Sequence, residues 1–286
     1  MRHAYLIMAH NQFDLLFKLV KALNSCNSAC YIHVDGKVDI NSVPVVRQII
    51  DIPNVFFLPN RVNVTWGDYS QIEAEYRLLK AAARFHYDYY HLLSGVDFPL
   101  KSQKFINSFF EENNGKEFIH FDSTPYEQWA YRFSKYHLIS GRNKNIFLKI
   151  ANCIILSSQF FVNRAKNTNL QFKKGANWFS ISDDLAQFVI EKESVVRKLF
   201  SHSLCSDEVF LQTIVYNSHF KYRVYSYIND SSSIMRYIDW NRGHPYIFRM
   251  EDYNELITSQ MLFGRKFDYD SYPEIVDRIF NYITKE

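Results

Sequence analysis

Tyr89-Tyr90-His91-Leu92-Leu93-Ser94-Gly95-Val96-Asp97-Phe98-Pro99-Leu100 is the stretch on which the fold turns. From Tyr89 to Leu93 nothing polar alternates except His91, the pattern of a strand covered on both faces. Ser94-Gly95 ends it, because glycine admits a tight turn. Asp97 is then expected in the loop that follows, and Pro99 stops any continuation. A strand buried on both faces belongs in an α/β sheet, and open α/β sheets bind ligands beyond the carboxyl ends of their strands. A carboxylate placed there either touches substrate or caps a turn, and locally the capping role suffices to explain it.

Toward the N-terminus the same architecture repeats. Tyr5-Leu6-Ile7-Met8-Ala9 reads as a buried strand, followed by His10-Asn11 and by Leu15, Leu16, Leu19, Val20 and Leu23 at helical spacing. Asn11 is the expected helix N-cap. Cys30 to Val34 is a second strand, ending in Asp35-Gly36; a helix from Pro44 to Ile50 and a strand from Val55 to Leu58 come next. This alternation predicts an α/β fold with a Rossmann-like, mostly parallel central sheet flanked by helices. His10 and Asp35 then lie at neighbouring strand ends, where an acid commonly meets a ribose or base. No G-x-G-x-x-G and no P-loop occurs, which disfavours the dinucleotide and ATP sites built on those loops.

Toward the C-terminus, helices are expected from Tyr69 to Phe85 and Phe105 to Phe110, and a strand from Glu117 to Asp122. From Pro125 to Lys173 the alternation stops. Trp129, Tyr131, Arg132, Lys135, Tyr136 and His137 mix aromatic and basic character there, suiting either a helical insertion that shapes an acceptor cleft or an ordinary amphipathic helix pair. Asn177 to Ser182 resumes strand character, and a helix from Asp183 to Glu191 follows. Ser206-Asp207-Glu208 precedes an apolar helix face; Ser206 as cap and two acids at a positive helix end are one reading, a general base beside a cleft the other. The basic residues around Arg242-Gly243 and Gly264-Arg265-Lys266 suit a diphosphate. Asp268-Tyr269-Asp270 has the form of a metal-binding D-x-D but stands near the C-terminus, not at the end of a central strand, and is set aside.

The 286 residues suit a single large domain, and 47% hydrophobic against 22% charged residues point to a packed core. A net charge of +3 argues for no nucleic-acid partner. No signal peptide and no twenty-residue apolar span is seen. The most apolar run, Ile146 to Val162, is broken by Lys149, Asn152, Ser157, Ser158 and Gln159, so a core or interface helix is expected, with peripheral membrane contact as the other reading. The four cysteines have no zinc spacing and are expected as reduced thiols in the cytosol.

Seven of these motifs in order resemble a known family: Tyr5-Leu6-Ile7-Met8-Ala9-His10, Ile32-His33-Val34-Asp35, Val64-Thr65-Trp66-Gly67, Leu93 to Leu100, Asn177-Trp178-Phe179, Ser206 to Phe210, and Arg265-Lys266-Phe267-Asp268. Together they are similar to the core-2/I-branching β1,6-N-acetylglucosaminyltransferases, a family that includes the peptide O-xylosyltransferases. The resemblance implies a GT-A-type fold, residues 1–124 forming the nucleotide-sugar half and 125–286 the acceptor and catalytic half. It implies an inverting transfer of a sugar, GlcNAc first among the candidates, from a UDP-sugar to a hydroxyl. No cofactor and no metal is implied, since basic side chains serve at the diphosphate. Carried over by motif, Glu208 is the general base and Lys266 the diphosphate lysine, with Arg265 beside it. The partner arginine is Arg242, preferred for its glycine-flanked loop, or Arg236. His10 and Asp35 match the uridine-binding strand ends, Asp97 lies near the donor sugar, and Asn177 and Trp178 face the acceptor, Trp178 as a stacking platform or a core residue.

One position departs from the pattern. Xylosyltransferases carry an Asp before the Trp-Phe pair; here it is Asn177, which accepts no proton at neutral pH. That leaves Glu208 as the base. The chain also lacks the stem, anchor and cysteine framework of animal members, implying a compact bacterial-type enzyme of the cytoplasm, at the inner membrane face, acting on a glycan or lipid-linked glycan in surface polysaccharide synthesis. The rival readings are a UDP-xylose-dependent enzyme, a non-catalytic sugar-nucleotide-binding module, and a metal-dependent transferase using Asp268 and Asp270.

Overall fold

The computed structural model describes residues 1–139 and 146–285; positions 140–145 of the expected insertion lie outside the described residues. In chain order the elements are β1 (His3–Ala9), α1 (Phe13–Leu23), β2 (Ser28–Val34), α2 (Pro44–Ile50), β3 (Val55–Phe57), α3 (Ser70–Ala83), β4 (Tyr89–Ser94), β5 (Asp97–Pro99), α4 (Gln103–Glu112) and β6 (Phe118–Ile119). There follow α5 (Tyr131–Ser134), α6 (Ile146–Ser158), β7 (Phe179–Ser182), α7 (Asp183–Glu191), α8 (Glu193–Phe200), α9 (Phe210–Tyr216), β8 (Arg236–Ile238), α10 (Tyr253–Thr258), β9 (Phe263–Arg265) and α11 (Pro273–Ile283).

The fold is α/β. Six strands run in the order β3-β2-β1-β4-β7-β6, with β3, β2, β1 and β4 mutually parallel and β7 antiparallel to both its neighbours. Strand order reverses between β1 and β4, so the crevice outside their carboxyl ends is where a ligand fits. Both faces are covered because successive residues of β1 point opposite ways. Ala4 and Leu6 enter the core built with α3, α7 and α9, while Tyr5, Ile7 and Ala9 enter the one built with α1, α4 and α11. Helix α1 presents Leu15, Leu16, Leu19, Val20 and Leu23 inward, the spacing that its sequence announces.

Asp97 is not in a loop. It opens β5, which pairs antiparallel with β9 in a second, three-stranded sheet ordered β5-β9-β8. Pro99 is tolerated because β5 is an edge strand, where a missing N–H breaks no inner ladder. Two expected caps are also corrected. Gln12, not Asn11, caps α1, in the left-handed region at φ 56° and with no side-chain cap bond, its amide donating instead to Asp268 and Asp270 at 2.9 and 2.8 Å. Cys205, also left-handed at φ 48°, precedes the short 3-10 turn Ser206–Glu208, and the buried Ser206 Oγ has no partner among the described residues. The 117–122 strand shrinks to Phe118–Ile119.

Candidate functional site

The cleft at the switch point grows from three strand ends held in register. Ala9 O accepts from Asp35 N at 2.9 Å, and Met8 O accepts from Gly95 N at 2.8 Å, so His10, Asp35 and Ser94 emerge side by side. The cavity there has a volume of about 430 Å³. Its walls include His10, Asp35, Lys37 and Ser94 from the strand ends, Trp66 from the approach to α3 and Gln71 from its first turn, and Asn177, Trp178 and Arg265 from the chain's second half. Asp35 is buried and held by the backbone N–H of Lys37 at 3.0 Å, with Lys37 Nζ 3.4 Å from its other oxygen. It is a fixed acceptor at the end of β2.

The cations converge beside His10. Burial pushes the His10 imidazole pKa down; Asp35 opposes this, and Lys266, Lys37 and Arg265 push it further down. Arg265 is anchored by Asp97, whose Oδ1 it meets at 2.7 Å, and its guanidinium lies 4.5 Å from the Trp178 ring centroid. Asp97 itself is buried and spends its other oxygen on the N–H of Ser94 at 2.8 Å, so it aims Arg265 and closes the β4 turn rather than walling the cleft. Lys266 makes no ion pair among the described residues.

The two arginines singled out in the tail stand elsewhere. Arg242 is clasped by Asp239 at 2.5 Å and Asp252 at 2.6 Å, with Glu255 at 3.6 Å, and is not among the cleft's lining residues. Arg236 is fully buried; it donates to the carbonyls of Ile234 and Phe179 at 2.7 and 3.1 Å and packs over Phe263. Among the three, Arg265 is the arginine the cleft receives.

Glu208 reaches the same region through its neighbours. Its backbone carbonyl accepts from Gly175 N at 2.9 Å, which ties the 3-10 turn to the segment that carries Asn177 and Trp178. Only glycine fits at 175, because a Cβ there would lie 1.8 Å from the His120 carbonyl oxygen. Cys205 N donates to Gly67 O at 2.9 Å, bringing the Trp66-Gly67 turn onto the same loop. The Glu208 side chain is 39% exposed and accepts from Arg132 Nη1 of α5 at 2.6 Å. Glu208 is not itself a wall of the cavity.

Sequence reasoning missed Glu75 as part of this site and did not pair Arg132 with Glu208. Glu75 is buried in the middle of α3, where an acid among apolar neighbours was the available signal. It accepts from Asn177 Nδ2 at 2.8 Å, and its neighbour Asp207 accepts from Gln71 Nε2 at 2.9 Å. Burial, and then the charge of Asp207, push the Glu75 pKa well above the ordinary carboxylate range. Burial, and then Glu208, push the Asp207 carboxyl up to about 7. Glu75 Oε2, Asp207 Oδ1 and Asn177 Oδ1 have no partner among the described residues, so a buried acid pair that favours its protonated forms stands behind Gln71 and Asn177.

Comparison with known proteins places this geometry in context. The family model described as "Branch: Core-2/I-Branching enzyme" matches residues 3–262. The chain is 22% identical over 274 residues to "Xylosyltransferase sqv-6" of Caenorhabditis briggsae, covering 88% of this chain and 33% of that protein. It is 23% identical over 304 residues to the human "Beta-1,3-galactosyl-O-glycosyl-glycoprotein beta-1,6-N-acetylglucosaminyltransferase", covering 93% of this chain and 66% of that one. The chain thus spans one third to about two thirds of these relatives' lengths. Among solved structures, S. aureus TarS 1-349 aligns over 66% of this chain and 49% of its own, at 11% identity and a TM-score of 0.36, too slight a likeness to argue from.

Proposed function

The chain belongs to the Core-2/I-branching enzyme family, and from that premise we propose that it is an inverting glycosyltransferase of GT-A type. It moves a sugar, GlcNAc first among the candidates, from a UDP-sugar to a hydroxyl of a glycan acceptor, without a metal ion. The observation that carries this reading is the cleft at the β1/β4 switch point, with His10 and Asp35 at one end and Arg265 and Trp178 at the other. Asp35 accepts hydrogen bonds from the nucleoside and His10 borders it. Arg265, held by Asp97, and Lys266 neutralise the diphosphate as the bond to the anomeric carbon breaks.

The base must be an acid that is ionised and open to an acceptor. Asp97 has both oxygens committed, Asp35 serves the nucleoside beside Lys37, and Glu75 and Asp207 are buried with raised pKa values. Glu208 is the partly exposed acid, with Arg132 to orient it. In this role Glu208 takes the acceptor proton as the oxygen attacks opposite UDP, and Arg132 gives way to the incoming sugar. General base catalysis of this kind contributes ~100- to 10,000-fold.

The test is turnover of a panel of UDP-sugars in EDTA, by wild type and Glu208→Gln. The expected result is metal-free turnover of one donor, with transfer lost in the variant and UDP binding retained. Full activity of Glu208→Gln would remove the base assignment. Restoration by added Mn²⁺ of activity that EDTA had abolished would favour a metal-dependent enzyme, and no response to any UDP-sugar would favour another donor or a binding module.

A further inference from the structure

Between residues 128 and 182 the chain carries nine of its 33 Lys and Arg and none of its 30 Asp and Glu. The rest therefore holds 24 basic against 30 acidic residues, a net-negative body with one net-positive excursion. That excursion contains α6 and the turn after it. On α6, Ile146, Ile150 and Ile154 recur every four residues on one helical face and are 60%, 52% and 64% exposed. Phe160 and Phe161, in the turn that follows, are 81% and 95% exposed.

The base of the excursion is fastened, so its apolar face is held outward. Lys135 Nζ donates to the carbonyls of Gln159 and, at 2.9 Å, Val162. Gln159 bridges back to Tyr136, accepting from its N–H at 2.7 Å and donating to its carbonyl at 2.9 Å. Arg164 stacks on Tyr136 at 4.5 Å and donates to Leu199 O at 2.6 Å. Three residues before Lys135, Arg132 holds Glu208.

We propose that this excursion docks on an anionic lipid bilayer, α6 lying in the interface with Ile146, Ile150 and Ile154 toward the acyl chains and Phe160–Phe161 inserted beside it. Charge complementarity selects this occupant: with Arg132 and Lys174 already paired to Glu208 and Asp122, the acid-free segment still keeps a net positive charge that gains from anionic headgroups, whereas a second copy of the same segment would set like charges against each other. At 13 residues α6 extends about 20 Å, short of the ~30 Å hydrocarbon core, and no described helix is long and apolar enough to cross a membrane. The surface therefore lies on the bilayer rather than spanning it. Docking is independent of the reaction proposed above; where both hold, the Arg132–Glu208 side of the cleft faces acceptors carried at the membrane.

The experiment is co-sedimentation of the full chain with vesicles of phosphatidylcholine alone and with 40% phosphatidylglycerol, at low and high salt. Binding to the anionic vesicles, weakened at least tenfold by 0.5 M NaCl or by omitting phosphatidylglycerol, is expected. Phe160→Ser/Phe161→Ser should lower the partition at least tenfold, and Lys166→Glu, an exposed cation on the flank, should lower it on anionic vesicles only. Circular dichroism and thermal melts of each variant show that it is folded. Equal binding to both lipids, no binding to either, or an unaltered partition of the folded Phe variant would overturn the proposal. So would light scattering that finds a dimer which the same Phe variant dissolves, since the face would then be an interface between copies.

Discussion

Asp207→Asn isolates one buried charge. Asp207 is 7% exposed, Oδ2 takes its bond from Gln71, and Oδ1 has no partner among the described residues. Burial, with Glu208 beside it, lifts its pKa from 3.8 to about 7. Because the folded pKa lies above the unfolded one, the native state holds the extra proton, and stability falls as pH rises from about 4 through 7. Between pH 5 and pH 8.5 this group alone costs about 2 pK units, or ~3 kcal/mol. Asn keeps the acceptor for Gln71, places an amide toward the unpartnered side and does not titrate. Urea denaturation at both pH values should show the variant gaining about 3 kcal/mol on wild type as pH rises, with m unchanged. Titrations that Asp207 does not influence cancel in that difference, and the release of Glu75 from the Asp207 charge acts in the same direction. A stability difference that stays constant from pH 5 to 8.5 would refute the reasoning, because it would mean that Asp207 ionises as readily folded as unfolded.

Acid acts in the opposite sense on the His3–His91 pair, whose ring nitrogens meet at 2.9 Å inside the sheet. Burial lowers His3 to about 4 and His91 well below its usual value, so this stability is present above pH 6.5 and lost as pH falls through 4. The advantage of wild type over His3→Gln should shrink by about 3 kcal/mol between pH 7.5 and 4 in the same urea assay, and a constant difference would sink the idea. Arg265→Ala should weaken UDP binding by calorimetry at least tenfold, whereas Arg242→Ala, whose guanidinium is held by Asp239 and Asp252, should leave it within threefold; the reverse order would return the diphosphate to Arg242. Gly175→Ala forces the 175 segment off the His120 carbonyl, costing roughly 1–3 kcal/mol or more, and lowers transfer through Glu208 more than UDP binding.

What was legible in the sequence follows from range. Local pattern sufficed for β1, β2, β4 and α1, because both-face burial and helical spacing are written within a few residues of each other. The bounds of α2 and α7 match those read from the sequence, α2 with proline in its first turn and α7 with two acids after the Ser182 cap. Placing His10 and Asp35 together needed only the parallel order that such alternation imposes. What failed depended on partners far along the chain. Asp97 looks like a loop residue until β9, more than 160 residues later, pairs with it and turns it into the anchor of Arg265. Arg242 looks like an exposed loop cation until three acids from its own surroundings are seen to occupy it. In both cases the deciding quantity is whether a charge is already neutralised, and that is a property of tertiary neighbours. The same holds for the acids. Glu75, Asp207 and Glu208 have one chemistry on paper, but burial keeps protons on the first two near neutrality and exposure leaves the third to Arg132 and an incoming hydroxyl. Division of labour among like residues is therefore set by solvent access, which no single motif encodes.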